Sequence, residues 1–370
     1  MTPGSQTAAG QPPSVPHPRT SEGIDGQDAA AATLRRAWDS GRLPHAWLLT
    51  GARGIGKATL AYRFATFVLA GPANPPGGLF GDAPADLTPD TNASAAHQIA
   101  AGSHPDLFVL EPGRVNPDTN KVSHEILAGH VGQAVQFCFM TPAAAPWRVV
   151  IVDPADAMNT TAANRLLKVL EEPPRQALLL LISHQPARLL PTIRSRCARL
   201  AMPVLADATV EGHLTRFRPD LAESDAHALA RLAEGSIGRA LALAAAGGLD
   251  LYREMLGLMD AMPRPEPATL HGFADKLGQG GEAGTFRLGG DLLAWWLARL
   301  TRATATGSAP APVVAGESDV MQRLAQRAPL ERWLDLWDKT IRLLNEAEQR
   351  SYDRKQVVLT VFLEIEALAG

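Results

Sequence analysis

Cysteine is the scarcest informative residue in this chain. Only Cys138 and Cys197 occur among 370 residues, far apart and in no C-x-x-C pair. That excludes a disulfide framework and a cysteine-rich zinc site, and it fits a reducing cytosol. Charge of one sign is missing as well. The 35 Lys and Arg nearly balance the 38 Asp and Glu, leaving a net charge of −3. Nothing in bulk draws such a chain to DNA or to an anionic membrane, although a local basic patch stays open. No run of about 18 apolar residues is present, so no membrane span is expected. The first residues lack an apolar signal core. What is present is a 46% hydrophobic composition, enough for a sizeable core, and length for two or three domains.

Periodicity divides the chain. Residues 1–22 are rich in Pro, Ser, Gly, Gln and Ala without apolar periodicity and read as a disordered tail. Apolar strand-like runs occupy 46–50, 107–110, 147–152 and 177–182. Helical spacing occupies 27–40, 57–70 and 123–139. Asn159 is placed to cap a further helix that Pro173 and Pro174 stop. Residues 71–90, dense in Pro and Gly, read as a surface insertion loop. Unbroken apolar runs such as 147–152 suit parallel strands covered on both faces, and strands alternating with helices predict a parallel α/β sheet. After Pro203 only helical patterns follow: a short-helix stretch at 204–249, then an all-helical block at 250–370 with a low-complexity break at 301–317. Trp333, Trp337, Ile341 and Leu344 share one helical face, read as core or a subunit interface.

The richest stretch is 47–59, WLLTGARGIGKAT: a buried strand, a glycine-rich turn and a helix start. Gly51, Gly54, Gly56 and Lys57 fit the phosphate-loop pattern G-x-x-x-x-G-K-[ST] up to its last position. Glycines let backbone N–H groups turn toward phosphate oxygens, and the helix start adds its positive dipole end. Lys57 would reach the outer phosphates. The last position, whose hydroxyl should hold Mg²⁺, is Ala58. Thr59 is one residue late, and one residue turns a helical side chain by about 100°.

A nucleotide-hydrolysing site needs a second strand ending in Asp, then Glu, for metal and water. Asp153 ends the strand at 147–152, where it either holds metal or merely caps the strand; Pro154 stands where the Glu should be, and Asp156 is not placed to substitute. Ser183, after the next strand, reads equally as a γ-phosphate sensor or as a loop cap. Beyond it, Arg194 and Arg196 flank Ser195 on an exposed turn, a pattern suited to phosphate contact or an ion pair between subunits.

Together LPHAWLLTGARGIGKAT, HPDLFVLEP, WRVVIVDPADAMNTTAANRLLKVLEEPP, LLLLISHQPARLLPTIRSRC and EGSIGRAL resemble the clamp-loader branch of the AAA+ ATPases, strongly over about 23–203 and weakly to the end. The resemblance implies a RecA-like α/β domain at 23–203, a small helical lid at 204–249 and an all-α oligomerisation collar at 250–370. It implies a cytoplasmic replisome role in the DNA polymerase III holoenzyme. There a heteropentamer with delta and DnaX-type (gamma/tau) subunits loads the sliding clamp onto primed DNA. It implies that Arg196 is an arginine finger acting in trans and that Arg239 is the lid's sensor-2 arginine.

Two departures qualify the resemblance. Many relatives carry a four-cysteine zinc module after the phosphate-loop helix; residues 70–103 contain no cysteine, so no zinc is expected. Ala58 and Pro154 erode the catalytic positions. The expected protein is therefore a largely non-hydrolysing subunit, with weak ATP or ADP binding at Gly51, Gly54, Gly56, Lys57, Ala58, Thr59, Asp153, Ser183 and Arg239 as a relic and no cofactor required. The alternative is an active DnaX-like ATPase, which should carry Ser or Thr at 58, Glu at 154 and the four cysteines. A small-molecule P-loop kinase would leave the Ser195-Arg196-Cys197 turn unexplained.

Overall fold

In the computed structural model, residues 17–21, 23–71, 87–113, 115–116, 121–279, 283–350 and 352–370 are described. The tail expected at 1–22 falls largely outside them, as does most of the loop expected at 71–90. Contacts divide the chain into two compact units. The first comprises Met1–Pro219 and Glu234–Arg239; the second comprises Asp220–Ala233 and Ala240–Gly370. The stretch read as a lid, 204–249, is shared between them.

The first unit is built on β1 (Ala46–Thr50), β2 (Leu107–Leu110), β5 (Arg148–Val152), β6 (Ala177–Ser183) and β7 (Ala198–Ala201), separated by a short antiparallel pair, β3 (Val115–Asn116) with β4 (Lys121–Val122). The five strands form one parallel sheet in the order β2-β5-β6-β1-β7. Strand β6 is central and buried throughout, which is why its sequence, ALLLLIS, shows no polar alternation. Alternate residues serve opposite faces. Trp47, Leu49, Val149, Ile151, Leu178 and Leu180 pack on α1 (Asp28–Asp39) and α2 (Lys57–Ala70) through Leu34, Leu60, Phe64 and Phe67. Leu48, Val150, Val152, Leu179 and Leu181 pack on α4 (Ala128–Phe139) and α5 (Thr160–Glu171) through Val131, Val135, Leu166 and Val169. Helices α3 (Ser94–Ala101), α6 (Pro191–Arg194) and α7 (Asp207–Phe217) complete the helices of this unit apart from the start of α9. Asn159 caps α5 as its position predicts, accepting from the Ala162 N–H at 2.9 Å. The helix expected from 123 begins only at Ala128, because residues 123–127 form a bend in which Ile126 bridges Met158.

The second unit is helical throughout: α8 (Glu223–Leu232), most of α9 (Ile237–Ala245), α10 (Gly248–Asp260), α11 (Pro267–Gln279), α12 (Ala283–Thr306), α13 (Glu317–Ala325), α14 (Leu330–Arg350) and α15 (Arg354–Ala369). Trp333, on the apolar face noted above, is fully buried, as are Trp296 and Phe362. The break expected at 301–317 is shorter, because α12 runs on to Thr306. Within that helix Thr301, Thr304 and Thr306 turn their hydroxyls back onto the carbonyls of Ala298, Leu300 and Arg302. Glu317 is buried beside Tyr252, whose hydroxyl donates to it at 2.7 Å, and Arg299 pairs with it at 3.2 Å. No helix among the described residues is long and apolar enough to cross a membrane.

Candidate functional site

In a parallel sheet the ends of the strands converge, and ligands sit outside the carboxyl ends. Here β1 and β6 lie side by side with Thr50 opposite Ser183, and β5 lies on the other side of β6. The topology therefore collects Gly51–Lys57, Asp153 and Ser183 at one edge.

The turn after β1 has φ of +147° at Gly51, +77° at Gly54 and +94° at Gly56, values that side chains rarely tolerate. Every carbonyl from Gly51 to Gly56 has a hydrogen-bond donor. Lys57 Nζ donates to Gly51 O at 2.8 Å and to Ala52 O. Ser236 Oγ donates to Arg53 O at 2.8 Å, the Gly238 amide to Gly54 O at 3.0 Å, and Gln27 Nε2 to Ile55 O at 3.1 Å. The Leu60 amide takes Gly56 O at 2.9 Å as α2 begins. The amides of residues 52–59, by contrast, make no hydrogen bond among the described residues. A loop with all its acceptors occupied and its donors free attracts anions, and the start of α2 reinforces it.

The flanking charges are tuned by burial. Burial lowers Lys57 to about 8, opposed by Asp153 and Asp156, so the side chain stays cationic at neutral pH. Asp153 is pushed up to about 6 by burial and by Glu111, against the pull of Lys57 and Arg53. Burial, together with Lys57, brings His184 down to about 4, which keeps its ring neutral.

The polar group at the end of β6 is engaged elsewhere. Ser183 Oγ donates to Asp156 Oδ1 at 2.6 Å, and Asp156 Oδ2 accepts from the His184 and Gln185 amides. Asp156 thus closes the end of β6. Ala58 and Thr59 begin α2, Ala58 with no hydroxyl to offer a metal. No cluster of three or more His, Cys, Asp or Glu suited to a metal occurs among the described residues.

The two arginines are each paired within the chain. Arg239 pairs with Glu234 at 3.2 Å, and its neighbour Gly238 is the residue that meets the loop, where an added Cβ would lie 3.0 Å from Gly54 Cα. Arg196 pairs with Glu171 at 2.9 Å and donates to Thr192 O. It precedes β7, whose Ala198 lies opposite Trp47, so it stands at the amino edge of the sheet. About 10 Å of strand separates it from the loop that follows Thr50.

Residues 26–206 match the family model described as DNA polymerase III, delta subunit. The chain is 40% identical over 192 residues to the DNA polymerase III subunit delta' of Pseudomonas aeruginosa, spanning 52% of this chain and 53% of that protein. Over this stretch the chain is similar to subunits of DNA polymerase III. Subunit delta' of Bacillus subtilis is similar at 32% identity over 49% of each chain. The DNA polymerase III subunit gamma/tau of Mycobacterium tuberculosis is 31% identical over 52% of this chain and 30% of its own length. The chain thus spans about half the length of the delta' relatives it matches, and the family match covers the sheet and the phosphate loop.

Gln27, Arg53, Ser236 and Gly238 are site residues that sequence reasoning missed. The resemblance carried by EGSIGRAL put Arg239 at the nucleotide but singled out neither Ser236 nor Gly238. Nothing in sequence pairs that stretch with a loop some 180 residues earlier, as the fold does at Ser236 and Arg53.

Proposed function

We propose that the chain is a delta-prime-type clamp-loader subunit, a largely non-hydrolysing stator that helps load the sliding clamp onto primed DNA. It assembles with delta and DnaX-type (gamma/tau) subunits in a heteropentamer, in the cytoplasm at the replisome, and donates Arg196 to a neighbour's ATP. Its own cradle suits the phosphates of ATP or ADP through free amides and Lys57, but it offers no hydroxyl to Mg²⁺ at Ala58 and no carboxylate at Pro154. ATP there is optional for the assembly and is not turned over. Zinc plays no part.

The observation that carries the reading is the separation of tasks across one sheet. A phosphate cradle without its metal and base residues lies at the carboxyl edge, and a surface arginine lies at the amino edge, out of reach of that cradle. Such an arginine suits a phosphate on another molecule rather than the chain's own. Glu171 holds it in place until a stronger anion competes. In reconstituted assemblies, Arg196→Ala is expected to lower ATP hydrolysis by the DnaX-type neighbour by on the order of 10³-fold or more. An unchanged rate overturns the finger assignment.

The second reading, an active DnaX-like ATPase, draws on the gamma/tau relatives and on the intact amide array. Steady Mg²⁺-dependent hydrolysis by the isolated chain would establish it.

A further inference from the structure

The outer side of the phosphate loop is held as firmly as its inner side is left free. A trans peptide points its C=O and N–H in opposite directions. Ser236 Oγ, the Gly238 amide and Gln27 Nε2 hold the carbonyls of Arg53, Gly54 and Ile55. Those same three peptides carry the amides of Gly54, Ile55 and Gly56, which must point the other way. Gln27 is itself buried and fixed by a second bond to Pro203 O at 3.0 Å. Ser236 is buried too, and its Oγ also accepts from the Arg239 amide at 3.1 Å. Gly54 and Gly238 meet backbone to backbone: a Cβ on Gly54 would lie 3.1 Å from Gly238 Cα.

We propose that Ser236, Gly238 and Gln27 are positioning residues of the phosphate cradle. They grip the loop by its carbonyls and so preset three amides toward a polyphosphate anion. The inference rests on the reading of Gly51–Ala58 as a phosphate cradle and is independent of the stator role. It has a reciprocal consequence. An anion that fixes those amides also fixes the carbonyls behind them, and so tightens the hold on the 234–239 turn. That turn clusters with the α/β unit, although the chain on both sides of it, 220–233 and 240–370, clusters with the helical unit. The cradle is therefore wired to the short stretch through which the chain enters and leaves the helical unit.

The test uses the full chain with two probes, ADP and inorganic tripolyphosphate, in the presence of a chelator. Affinity is read by calorimetry, and amide exchange is followed across residues 232–245. For wild type, both probes are expected to bind and to slow exchange at 234–239. Ser236→Ala is expected to bind both probes about fivefold more weakly, the worth of one neutral hydrogen bond, and to lose the exchange protection. Ser236→Thr, which keeps the hydroxyl, is expected to restore both, an outcome a purely packing role would not give. Gly238→Ala, which crowds Gly54, is expected to weaken binding as well. If Ser236→Ala loses its cooperative unfolding, Ser236→Cys takes its place with the same expectations. Equal affinity in wild type and the alanine variant overturns the proposal. A wild-type chain that binds neither probe overturns both the proposal and the cradle reading, while the finger assignment is tested separately at Arg196.

Discussion

Two groups of backbone amides in the α/β unit have the same chemistry and opposite fates. At the amino edge of the sheet, the amides of Ala143, Ala144 and Ala145 close on the buried Asp106 carboxylate at 2.7, 2.7 and 2.9 Å, and Arg148 stands 3.7 Å from it. At the carboxyl edge, the amides of residues 52–59 meet no acceptor among the described residues. The first group is filled by an anion that is part of the fold, so it is structure. The second has its carbonyls tied down and its donors left over, so it is the candidate site. Where an amide cluster finds its counter-charge separates scaffold from function better than the cluster itself does.

The largest effect is expected where the counter-charge is internal. Asp106→Ala would orphan three amides and leave Arg148 buried without its partner, although Arg148 keeps its bonds to Met140 O and Thr141 O. A loss of about 3–5 kcal/mol is expected, read as a shift of the urea midpoint. A loss below about 1 kcal/mol would show that the two edges do not differ in kind.

The same contrast has a pH signature. Burial alone would raise the Asp106 carboxyl, but the three amides and Arg148 outweigh it and hold it below its ordinary 3.8. A depressed acid stabilises the fold above its unfolded pKa and loses that contribution as pH falls through the folded value. Wild type is therefore expected to lose stability below about pH 4 more steeply than Asp106→Asn, measured by denaturant unfolding at stepped pH.

The carboxyl edge should respond in binding and little in stability. Lys57→Ala removes a donor from Gly51 O and Ala52 O together with the charge that faces an anion. ADP affinity is expected to fall more than tenfold while the thermal midpoint moves by only a few degrees. A variant that binds ADP as well as wild type would show that Lys57 serves the loop alone. Restoring the missing hydroxyl with Ala58→Thr is expected to make binding of ATP respond to Mg²⁺ without starting hydrolysis, because Pro154 still supplies no base. The smallest effect belongs to the surface: Arg196→Ala is expected to leave the thermal midpoint of the isolated chain within about 2 °C.

Most of the fold was legible from local pattern. The runs at 46–50, 147–152 and 177–182 are strands because central parallel strands are covered on both faces and cannot alternate, and 107–110, though at the sheet's edge, is as apolar as they are. Strand β7 was missed: ARLA holds a single buried apolar residue and lies at the sheet's edge. The β3–β4 pair was missed because two-residue strands leave no period to read. The end of α12 was misread because its Thr-rich sequence suggests a break where the helix runs on to Thr306.

For the site, the chain's own chemistry settled which residues could act. A glycine pattern needs only backbone sterics to predict a phosphate turn, and Ala58 and Pro154 carry neither a hydroxyl nor a carboxylate wherever they lie. What the tertiary structure alone decided was which contacts are made. It spent Ser183 on Asp156, turned Arg239 to Glu234, set Arg196 at the far edge of the sheet, and brought Ser236, Gly238 and Gln27 onto the loop. These depend on where distant segments pack, and hydrogen bonds across such separations leave no local period for a sequence to display.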